Sequence, residues 1–99
     1  MTTTPRTATA SVATDNAPRY AKQLASHLGR RSEIRELGED IAIVLTVGEC
    51  RLHSTESALE LTATAGSDDD LSTVTRVVGS HLERFGQRNE LTVDWQFMR

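Results

Sequence analysis

Apolar and polar residues alternate over residues 7–13, with Ala8, Ala10 and Val12 on one side and Thr7, Thr9 and Ser11 on the other. That period of two predicts a half-buried strand. Asp15 or Asn16 then offers a helix cap, and Pro18 falls in the first turn, where a missing N–H is harmless. Tyr20, Leu24, His27 and Leu28 recur at spacings of three and four, so the predicted helix ends near Leu28, with Gly29 as a left-handed stop. Ile34 to Leu37 reads as a short strand and Gly38-Glu39-Asp40 as a turn. Ile41 to Val47 is the strongest strand signal, partly apolar on both sides and therefore expected to be central. A two-residue turn at Gly48-Glu49 would pair Val47 with Cys50 and Leu45 with Leu52. A reversal at Thr55-Glu56-Ser57 would add Leu52 opposite Leu59, Cys50 opposite Leu61 and, on the solvent side, Arg51 opposite Glu60. The two turns place one apolar set on one face.

After Gly66, Ser67 or Asp68 can cap a second helix, with the acidic run Asp68-Asp69-Asp70 at the positive end of its dipole. Those aspartates lack the spaced oxygen ligands of an EF-hand and are read as capping. Leu71, Val74, Val78, Leu82 and Phe85 form the helix stripe, flanked by Val77 and His81, and Gly86 ends it. Leu91, Val93, Trp95 and Phe97 alternate into a last strand, expected to face inward. The order β-α-β-β-β-β-α-β predicts an α+β, two-layer sandwich, a mainly antiparallel sheet with two helices on one face.

The 99 residues suffice for one domain over 7–99, preceded by a polar tail over 1–6 expected to be disordered. No apolar run approaches the roughly 20 residues of a membrane span, and no signal-type h-region opens the chain, so a cytoplasmic location is expected. One cysteine excludes an internal disulfide. Net charge is −3, yet residues 1–35 carry six basic and two acidic groups while residues 36–75 carry one basic and nine acidic. The split could steer a partner. Nucleic acid is not favoured, because Arg19, Lys22, Arg30 and Arg31 have no interleaved aromatics or recognised motif.

Candidate chemistry reduces to His27, Cys50, His53 and His81. His27 and His81 lie on or beside the helix stripes and Cys50 on the inward strand face, a donor set that suits zinc, iron or haem. The competing reading makes all three packed core groups, and no CxxC or HExxH spacing opposes it. His53 alternates onto the outer face. No oriented nucleophile, carboxylate pair or phosphate loop is present, so an independent enzyme and a resident cofactor are not expected.

Ala13-Thr14-Asp15 through Arg19-Tyr20, Gln23-Leu24 to His27, Gly48-Glu49-Cys50-Arg51-Leu52, His81-Leu82-Glu83-Arg84-Phe85 and Leu91-Thr92-Val93-Asp94-Trp95 occur in an order that resembles the bacterial domain-of-unknown-function 2218 family. Members often stand beside, or are fused to, siderophore-interacting flavin reductases. The resemblance implies a small accessory or interaction module linked to siderophore-iron use, with such a reductase as partner. The alternative is a small metal- or haem-binding protein using His27 and His81. The chain departs from the family at Arg30, where members often carry a second helix-one histidine, and at Gly86-Gln87, where they tend to have Ala-Phe.

Overall fold

A computed structural model describes residues 6–30, 32–86 and 91–98. Strands β1 (Arg6–Ala13), β2 (Glu33–Leu37), β3 (Asp40–Leu45), β4 (Gly48–Ser54), β5 (Ala58–Ala65) and β6 (Gln96–Met98) form one antiparallel sheet in the order β2-β3-β4-β5-β1-β6. Helices α1 (Ala17–Leu28) and α2 (Asp68–Phe85) touch each other and pack on one face of it. The α+β sandwich and its element order are those expected. Of the tail expected over 1–6, only Arg6 lies within the described residues, and it begins β1.

Registry explains the core. Across the inner face run Phe97, Ala8, Ala63, Cys50, Ile43 and Ile34 as successive cross-strand partners. The next row is Ala10, Leu61, Leu52 and Ile41. Small side chains in the first row let the helices approach, and Leu24, Leu71, Val74, Val78 and Leu82 close the core from above, all nearly or fully buried.

Several expectations are corrected in detail. The β3–β4 turn is Thr46–Val47, so Leu45 pairs with Gly48 and Ile43 with Cys50. Gly48 is needed within the strand instead, because a Cβ there would stand 2.4 Å from the Thr64 carbonyl oxygen and 2.9 Å from Val74 Cγ2. The β4–β5 pairing also slides by two, giving Leu52 opposite Leu61 and Arg51 opposite Thr62, while Glu60 faces His53. A shift of two preserves the buried face. Gly38, with φ of 68°, is the glycine whose backbone requires the left-handed region, in the β2–β3 turn. Gly29 is right-handed, with φ of −64°, and Ile34 packs where its Cβ would be.

At the helix starts the two caps differ. Ser67 Oγ accepts from the Asp70 N–H at 3.2 Å, while Asn16 caps α1 without a side-chain bond. The expected inward strand over Leu91–Phe97 shrinks to Gln96–Met98. Leu91 is buried, but the stretch through Trp95 lies along α2: the Val93 N–H donates to Glu83 Oε2 at 2.9 Å, and Trp95 Nε1 sits 3.0 Å from where a Gly79 Cβ would be. Phe97, on the sheet edge, is 54% exposed.

Candidate functional site

Two histidines from different helices meet at one end of the helix layer. His27 is the penultimate residue of α1, and His81 lies one turn before the end of α2. Their ring centroids are 5.0 Å apart with planes inclined at 44°, and Phe85 meets His27 edge-on at 5.3 Å. His81 Nδ1 lies 2.6 Å from the Val77 carbonyl oxygen. A carbonyl can only accept, so Nδ1 carries a proton, and in the neutral ring Nε2 then holds the lone pair. That bond also fixes the ring, an outer contact typical of metal-ligating histidine.

The pair borders a cleft of about 430 Å³ whose other walls are Leu28, Arg30, Ser32, Leu45 and Val77. Leu28, Leu45 and Val77 supply an apolar lining, and Arg30 and Ser32 come from the loop between α1 and β2. A hollow of similar size beside the Thr46–Val47 turn, lined by Arg35, Glu49 and Thr64 among others, has no converging imidazoles.

Cys50 does not join the histidines. It is fully buried in mid-sheet between Ala63 and Ile43 and does not line the cleft. Burial pushes its thiol up to about 12, with a smaller upward contribution from Glu49, against a lowering hydrogen bond from the Thr62 backbone. At neutral pH it is a protonated, small apolar core group. Among the described residues no three of His, Cys, Asp and Glu stand together as a metal cluster.

His53 is on the outer sheet face, half exposed, and bonded through Nδ1 to Asp40 Oδ1 at 2.7 Å. The Asp40 partner was missed because the expected hairpin turn misplaced β3 against β4. The pairing Ile41 with Leu52 sets Asp40 beside His53. The hydrogen bond and charge of Asp40 raise the His53 pKa above its ordinary value of 6.5 against an opposing desolvation, and Glu60 and Glu39 add lesser upward contributions. A raised histidine pKa stabilises the fold fully below the unfolded value and is lost as pH rises through the folded one. In an NMR titration, His53 should show a midpoint above 6.5, and Asp40→Asn should lower it. An unchanged midpoint in that variant would break the pair.

The sheet order and the two helices define a small α+β domain, with the histidine cleft at the ends of the helices. The chain belongs to the family described as "Uncharacterized protein conserved in bacteria (DUF2218)", whose model matches residues 9–96. Its fold is similar to that in the NMR structure of PA4090 from Pseudomonas aeruginosa, with a TM-score of 0.76, 26% identity, and coverage of 92% of this chain and 95% of that one. No curated protein matches the chain. Among the described residues no helix is long and apolar enough to cross a membrane.

Proposed function

We propose that the protein binds one divalent transition-metal ion between His27 and His81 at the helix ends. The 5.0 Å separation of the two rings carries this reading. With a metal–nitrogen bond of about 2.0–2.1 Å, each imidazole centre lies roughly 3.2 Å from the ion, and a tetrahedral angle then separates the centres by about 5.2 Å. Haem held between the two rings needs them on opposite sides of the iron, with centres more than about 6 Å apart. A single ion fits the observed spacing, and the fixed Nδ1 proton of His81 directs its Nε2 to that role. Two imidazoles favour zinc, nickel, copper or ferrous iron over magnesium or calcium.

On this reading the chain is a small accessory module that carries metal and performs no reaction of its own. A place beside a flavin-dependent ferric-siderophore reductase, in the cytoplasm, is supported by the family resemblance, and the histidine pair is the feature that would give such a module something to carry. Equilibrium dialysis against nickel and zinc tests the site. One ion per chain should be retained well below millimolar, and His27→Ala should release it while His53→Ala should not. No retention, or retention that survives His27→Ala, overturns the proposal.

A further inference from the structure

We infer that the ion enters this cleft together with a small dianionic oxygen chelator, which Arg30 receives. The inference rests on the metal reading of the same site and concerns what completes it. Two imidazoles satisfy half of a tetrahedral shell, and among the described residues no Asp, Glu or Cys supplies the rest. As far as the described residues go, the open positions fall to water or to a second ligand. The cleft, about 430 Å³ and open to solvent, has room beside the ion for a ligand larger than two waters of about 30 Å³ each.

Charge selects the kind of ligand. The ion brings two positive charges, both imidazoles are neutral when ligating, and Arg30 adds a third positive charge on the wall. Among the described residues no acidic side chain lines the cleft and no carboxylate pairs with Arg30. A dianion with two adjacent oxygen donors would close a chelate ring on the metal and present outer oxygens to the planar guanidinium fork, a geometry that lysine would not match. Ser32 offers a hydroxyl on the same wall, and Leu28, Leu45 and Val77 exclude water from the ligand's carbon side.

Equilibrium dialysis of the full chain with labelled oxalate, with and without nickel, tests the inference. Nickel is measured first. Its failure to bind would overturn the metal reading and this inference with it. With nickel retained, oxalate should be held one-to-one with the metal and not without it. Arg30 lies on an exposed loop, and Arg30→Gln should lower oxalate retention about tenfold, with nickel measured alone bound no more weakly, because the change removes a positive charge from the cleft wall. Nickel retained without oxalate, or oxalate held equally by Arg30→Gln and wild type, would overturn the inference and leave the metal site standing.

Discussion

Replacing Gly48 with alanine should destabilise the protein by about 1–3 kcal/mol, in the range of overpacked cores. The new Cβ would stand 2.4 Å from the Thr64 carbonyl oxygen, 2.9 Å from Val74 Cγ2 and 3.0 Å from Ala65 Cβ. The first contact is backbone in the neighbouring strand, so relief requires β4 and β5 to separate or α2 to lift. For a domain of this size each 1 kcal/mol lowers the melting temperature by roughly 4–8 °C, making the loss easy to see in thermal unfolding. Gly66→Ala is the matched control, since nothing lies within 4 Å of its added Cβ. That change should be neutral or slightly stabilising through the unfolded chain. Equal melting temperatures for the two variants would contradict the close approach at Gly48.

Loss of metal binding in the histidine variants is the largest functional effect expected. A two-ligand site has no redundancy, so His27→Ala or His81→Ala alone should weaken binding at least a hundredfold, beyond the roughly 10–100-fold lost with outer contacts of metal sites. The double variant should be little worse than either single one, because one imidazole holds an ion scarcely better than none. Acidification should also release the metal, as protons compete for the same lone pairs. Both side chains lie at the cleft, His27 exposed and His81 half-buried, so the variants should remain folded.

The sequence pattern disclosed faces better than partners. Parity alone assigns Ile41, Ile43, Cys50, Leu52, Leu59 and Leu61 to one side of the sheet, and a turn misplaced by two residues leaves that assignment intact. Cross-strand neighbours are not protected in this way. Reading Gly48 as a turn residue hid the Asp40–His53 bond, because glycine serves close approach as well as tight turns, and only the packing of Thr64 and Val74 distinguishes the uses. The alternation of Leu91, Val93 and Trp95 is genuine, yet it faces α2, since periodicity does not say which layer a segment covers. For the site, helical spacing located His27 and His81 individually. Their 5.0 Å approach depends on how α1 and α2 lie against each other, and Cys50 stays apart because its strand position points into the core beneath both helices.

Nitrogen-resolved NMR of the imidazole rings during zinc titration tests the shared site most directly. At one equivalent, His81 Nε2 and one ring nitrogen of His27 should shift together to metal-bound positions, with His53 unchanged. Shifts at only one of the two histidines, or equal shifts at His53, would contradict a single ion held between the helices.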